Sequence, residues 1–99
     1  MQRDYVYPHM ANRMSPKEWN EAGKPLLGLF GASHMKYDLD RPASEPSLAQ
    51  MTLAAIKQLK DKEKGYFLMV EGGRIDHALH DTNAKRALQD TLAFDNAIK

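Results

Sequence analysis

The stretch whose reading decides the fold is YFLMVEGGRIDHALH, residues 66–80. Its first part, Tyr66 to Val70, is apolar without polar alternation, the pattern of a strand covered on both faces in a parallel sheet. The run ends abruptly in a carboxylate, Glu71, followed by Gly72 and Gly73, which allow a sharp turn and close backbone approach. In open α/β sheets ligands bind just past the carboxyl ends of the strands, the position Glu71 takes in this reading. If a helical turn follows, Asp76 and His80 lie at i and i+4 and point the same way. They then offer an oxygen and a nitrogen of the kind zinc accepts, while Glu71 offers only hard oxygen and suits magnesium better. The plainer reading stays open: an Asp and a His at this spacing also form a surface pair, and a Glu after a strand also stands solvated. Structural zinc takes four ligands and catalytic zinc three, and the spacing supplies two.

Upstream, Leu48, Met51, Ala55, Ile56 and Leu59 recur at helical spacing, with Lys57, Lys60, Asp61 and Lys62 mostly off that stripe. This predicts an amphipathic helix from Pro46 onward, with Gly65 as the residue just beyond its C-terminus. PLLGLF, Pro25 to Phe30, reads as a short buried strand ended by Gly31, Ala32 and Ser33, and DRPASEPS as a loop. Strand, helix, strand in that order is a βαβ unit and predicts an α/β fold. Downstream, Ala84, Ala87, Leu88, Thr91, Phe94 and Ile98 define a second amphipathic helix, still running at Lys99. A helix ending there without Gly, Pro or cap suggests a chain cut from something longer. Residues 1–24 show no sustained period and are expected to be irregular, apart from a short helix from Ser15 signalled by Ser-Pro-Lys-Glu. Met51, Tyr66, Phe67 and Met69 are expected in the core. His9 and His34 read as loop histidines without partner ligands at short spacing, and Arg74 as a charge balance for the neighbouring acids.

The bulk properties narrow the possibilities. A 99-residue chain fits one small domain or a piece of a larger one, too small to enclose a large active site alone. Fourteen Lys and Arg against thirteen Asp and Glu leave a net charge of +1 without a basic block, which disfavours nucleic acid and anionic membrane as partners. The absence of cysteine removes disulfides, thiolate zinc sites and cysteine nucleophiles, so any metal must use His and carboxylate. The start, MQRDYVYPHM, lacks the apolar core of a signal peptide, and no apolar run approaches the roughly 20 residues of a spanning helix. Gly72-Gly73 makes no GxGxxG fingerprint, and no Walker lysine is present.

GYFLMVEGGRIDHALH resembles the metal-binding segment of the animal-type alkaline phosphatases, FFLxVEGGRIDHxxH. The likeness extends back through LLGLF, HMKYDLDR and EPSLAQMTLAAI and forward through AKRALQDTLAFDNAI. It covers about Pro25 to the end, and residues 1–24 match only loosely. The resemblance implies that residues 1–99 are part of a catalytic domain built as an α/β/α sandwich with a central, mainly parallel sheet. It implies a phosphate monoester hydrolase with zinc, magnesium and a transiently phosphorylated serine. Glu71 would ligate magnesium, Asp76 and His80 the first zinc, and His77 would act near the phosphate through water instead of binding metal. It further implies a calcium-type position using the Phe30 carbonyl and Glu45, and a homodimeric parent at the outer cell surface, held by a lipid anchor outside this chain.

The departures limit what this chain does alone. The family's Asp-Ser-Ala nucleophile word is absent, because none of Ser15, Ser33, Ser44 and Ser47 follows an aspartate. The later Asp-His pair and the distant His that complete the zinc sites are not here. Gly31 stands where the calcium-type site has a ligating side chain, and the family's Gly-His-His is Ala78-Leu79-His80. The expectation is an internal slice of the enzyme, inactive in isolation. The competing expectation is a truncated, non-enzymatic paralogue serving as a binding or structural module.

Overall fold

In the computed structural model, which describes residues 25–99, the regular structure is helical. A single 3₁₀ turn, Asp38–Asp40, precedes three α-helices: α1, Leu48–Leu59; α2, Arg74–His80; and α3, Ala84–Ile98. The Ser15 helix, the irregular 1–24 segment and His9 lie outside the described residues.

The expected α/β architecture, a fragment of a sandwich with a central parallel sheet, is not what these residues form. Neither Pro25–Phe30 nor Tyr66–Val70 is a strand, and among the described residues there is no sheet, only a lone bridge position at Leu26. The physical reason lies in what an apolar run encodes. Such a run reports an appetite for burial, whereas a parallel strand exists only where neighbouring strands satisfy its backbone groups, and the two segments do not ladder with each other. Exposure along the second segment alternates: Leu68 and Val70 are half-buried, while Phe67 and Met69 are 89% and 72% exposed. Tyr66 is also exposed and Met51 half-buried, so the expected Met and aromatic core is not the core.

α1 begins where its sequence provides a cap. The Ser47 hydroxyl accepts from the Gln50 backbone N–H at 3.1 Å, and the Gln50 side chain accepts from the Ser47 N–H at 2.8 Å. Such reciprocal caps are worth about 1 kcal/mol. The helix stops at Leu59, well short of Gly65, because Lys60 to Lys64 are all charged and give a continued helix nothing to pack. Gly65, with φ +78°, instead turns a separate bend closed by its N–H on the Lys62 carbonyl at 3.0 Å.

α2 and α3 form a tight corner through Thr82, whose φ of +53° is left-handed. The Asn83 side chain caps α3 by accepting from the Arg86 N–H at 3.0 Å. α2 is too short to persist alone and depends on its seam with α3. There Ala78, fully buried at 0% exposure, forms a cluster with Ala87 and Tyr37. Small residues set the inward face of α3, which runs through Ala87, Asp90, Phe94 and Ala97. The predicted stripe is therefore rotated, leaving Leu88, Thr91 and Ile98 exposed. Hydropathy favoured leucine and isoleucine, but close helix approach selects alanine.

Polar bonds fasten the 3₁₀ turn to α3. Asp38 N–H donates to Asp90 Oδ1 at 2.7 Å, Gln89 Nε2 to Asp38 Oδ2 at 2.8 Å, and Arg86 Nε to Asp40 Oδ2 at 2.8 Å. Tyr37 is the pin of the assembly. Its ring carries the Arg74 guanidinium at 3.9 Å and that of Arg86 at 4.9 Å, and its hydroxyl donates to Asp81 Oδ2 at 3.0 Å.

Candidate metal and phosphate site

Glu71 ends the apolar segment, and the chain turns at Gly72 directly into α2. Gly72 is needed there because a Cβ would meet Ile75 Cδ1 at 3.0 Å and Phe94 Cβ at 3.4 Å. Its missing side chain lets the start of α2 close onto α3, and this contact fixes the direction in which Asp76 and His77 leave the backbone. Gly73 has ordinary helical backbone angles, and its Cβ position faces the Glu71 carboxylate at 3.7 Å.

The result is an open cleft of about 500 Å³ between the 34–41 loop, the start of α1, the Glu71 turn and α3. Glu71, Asp76 and His77 line it, opposite His34, Lys36 and Arg41, with Asp90 and Arg74 also in the wall. Both signs of charge therefore face one space, as a site holding both a cation and an anion requires.

The predicted residues divide as follows. Asp76 Oδ1 and His80 Nε2 stand 3.4 Å apart on the exposed face of α2, with side chains 76% and 77% exposed. The i, i+4 geometry expected from sequence is thus present. Two donors on one tetrahedral zinc at ~2.0–2.2 Å stand roughly 3.3–3.5 Å apart, so this pair spans one edge of such a site. Glu71 shares the cleft with Asp76, whereas His80 lies one turn further along α2, outside the lining. Among the described residues no three His, Asp or Glu side chains converge as a complete metal cage. A pair plus a separate carboxylate fits metals only with further ligands supplied from elsewhere.

Phe30 and Glu45 lie outside the cleft lining. One Glu45 carboxylate oxygen accepts from the Lys36 N–H at 2.9 Å, and its carbonyl accepts from Arg41 Nη1 at 2.9 Å, so this residue already closes the loop between them. Gly31 offers no side-chain donor; a Cβ there would lie 3.3 Å from the His34 carbonyl.

Sequence reasoning missed the opposite wall. His34 is an exposed loop histidine, as expected, but its ring also packs 4.5 Å from that of His77, tilted by 55°. Arg74 was read as a charge balance, yet it stacks on Tyr37, with its Nε buried and unpartnered. Neither has a signal at short spacing, because the partners are far along the chain.

The family model described as Alkaline phosphatase matches residues 1–99, the whole chain. The chain belongs to the alkaline phosphatase family. It is similar to the membrane-bound alkaline phosphatase of Bombyx mori, 53% identical over 75 residues, which are 75% of this chain and 14% of that protein. It is similar as well to the human tissue-nonspecific isozyme, 49% identical over 74 residues, which are 74% of this chain and 14% of that one. The cod alkaline phosphatase is 45% identical over 74 residues, covering 74% of this chain and 16% of its own length. The chain thus spans about one seventh of the length of the silkmoth and human alkaline phosphatases.

Proposed function

We propose that this chain is part of the catalytic domain of an alkaline phosphatase that hydrolyses phosphate monoesters through a phosphoserine intermediate, using zinc and magnesium. The observation that carries the reading is the 3.4 Å separation of Asp76 Oδ1 and His80 Nε2, one edge of a tetrahedral zinc site, beside a cleft that also receives Glu71. Asp76 and His80 would hold the first zinc, and Glu71 would contribute a hard oxygen to magnesium. When bound, these metals supply Lewis acidity toward phosphoryl and water oxygens. His77, at the cleft wall, orients water toward the phosphate. Lys36 and Arg74 line the cleft beside the carboxylates and offer positive charge to an anion, while Arg41 is paired with Asp38 at 3.1 Å.

The serine nucleophile and the remaining metal ligands belong to other parts of the parent. The 99-residue chain alone therefore turns over no substrate. Candidate donors for a calcium-type position are the Phe30 carbonyl and Glu45, with Gly31 contributing none. The reading extends to a homodimeric parent at the cell surface, in keeping with the membrane-bound silkmoth relative. Among the described residues no helix is long and apolar enough to cross a membrane.

The test is to translate the transcript on both sides of this segment, express the resulting protein and assay it on a chromogenic phosphate ester. The reading expects an Asp-Ser-Ala word and further His and Asp-His ligands, with metal-dependent turnover lost on Asp76→Ala. Stops immediately flanking the segment, or turnover by the 99-residue chain itself, would contradict it. The first of these outcomes points to the non-enzymatic module.

A further inference from the structure

We propose that His34 is a positioning residue for His77: its ring, packed against that of His77, sets the plane in which the His77 imidazole meets a bound phosphate group. The idea rests on the phosphate-site reading above for its ligand, but not for its geometry.

His77 leaves α2 with its Nδ1 buried and without a hydrogen-bond partner. The orientation and tautomer of a histidine are ordinarily fixed by a bond at one ring nitrogen. At His77 Nδ1 that bond is missing, and the contact against its ring is His34, at 4.5 Å between centroids and a tilt of 55°. Tilted aromatic pairs at such distances prefer defined arrangements. Both rings line the same cleft.

The loop that carries His34 is anchored on its C-terminal side. Gly31 lets the loop curl so closely that a Cβ at that position would sit 3.3 Å from the His34 carbonyl. Two and three residues beyond His34, the loop is tied down by the Lys36 N–H on Glu45 and by the buried Tyr37 ring. A short, tied loop carrying an imidazole against another imidazole acts as a backstop: His77 loses rotational freedom before ligand arrives, and the binding site is preorganised.

The experiment uses the 99-residue chain, its His34→Ala and His34→Phe variants, and His77→Ala, with zinc and magnesium present in the buffer. Long-range proton–nitrogen correlation spectra of the imidazoles report the His77 tautomer, and a titration with inorganic phosphate reports binding. His34→Ala is expected to shift and average the His77 ring signals while leaving the backbone amides of α2 in place. His34→Phe, which keeps a ring, should preserve them. Phosphate binding should weaken about two- to tenfold in His34→Ala, the worth of one ring pair, and stay near wild type in His34→Phe. The double variant His34→Ala/His77→Ala should bind no worse than His77→Ala alone. Unchanged His77 ring signals in His34→Ala, or losses that simply add, would overturn the proposal. A wild-type chain that shows the ring coupling but no phosphate binding would place the remaining phosphate-binding groups outside this chain and leave the positioning of His77 by His34 supported.

Discussion

Tyr37 shows how one side chain ties loop, corner and helix together. Burial, followed by the hydrogen bond to Asp81, raises its pKa above the ordinary tyrosine value, while Arg74 and Arg86 pull in the opposite direction. A phenol that holds its proton more tightly when folded contributes stability that is complete below about pH 10, the unfolded value. That stability is lost as pH rises through the folded value. In an alkaline spectrophotometric titration, the tyrosine signal is therefore expected to show a late step, and Tyr37→Phe should remove that step and flatten the alkaline loss of stability. Ionisation of Tyr37 at the ordinary tyrosine value would contradict this. The candidate ligands were legible at this scale because their signal is local. Asp76 and His80 are four apart, and a helix makes them neighbours. The His34–His77 and Tyr37–Arg74 contacts were not legible, because each joins residues that only the tertiary fold brings together.

At the scale of elements, the helices were readable where caps and charge runs speak for themselves, and misread where packing chose between two faces. α3 carries leucines on one side and alanines on the other, and the alanine side is inward because the corner with α2 brings the backbones close. Ala78→Leu should therefore destabilise by about 1–3 kcal/mol, as overpacking does. Phe67→Ser should stay within roughly 0.5 kcal/mol in chemical denaturation of this chain, as an exposed site does. A core Phe67 would instead cost ~3–5 kcal/mol on truncation to alanine. A loss of that size at Phe67 would restore the expected aromatic core and contradict the exposure found here.

For the whole molecule, the described residues hang together through α3, which receives α1 and α2 and the 3₁₀ turn. Asp90 sits at that junction, accepting the Asp38 N–H at 2.7 Å while its second oxygen is buried without a partner. Asp90→Ala should cost roughly 1.5–3 kcal/mol, the worth of a hydrogen bond to a charged group. It should also release the 34–41 loop, seen as faster amide exchange at Asp38. No change in that exchange would mean that the loop is held by Arg86 and Gln89 instead. The sheet was illegible for the converse reason: a strand's identity is a property of its neighbours, and YFLMV alone reports only an apolar run. The central claim remains that the Glu71 turn delivers a metal-binding pair. Its most direct test is a calorimetric zinc titration of the metal-stripped parent protein that contains this chain, against its Asp76→Ala and His80→Ala variants. The account predicts one zinc-dependent heat that weakens at least about tenfold in either variant. Identical titration curves for all three proteins would reduce Asp76 and His80 to an exposed ion pair and contradict it.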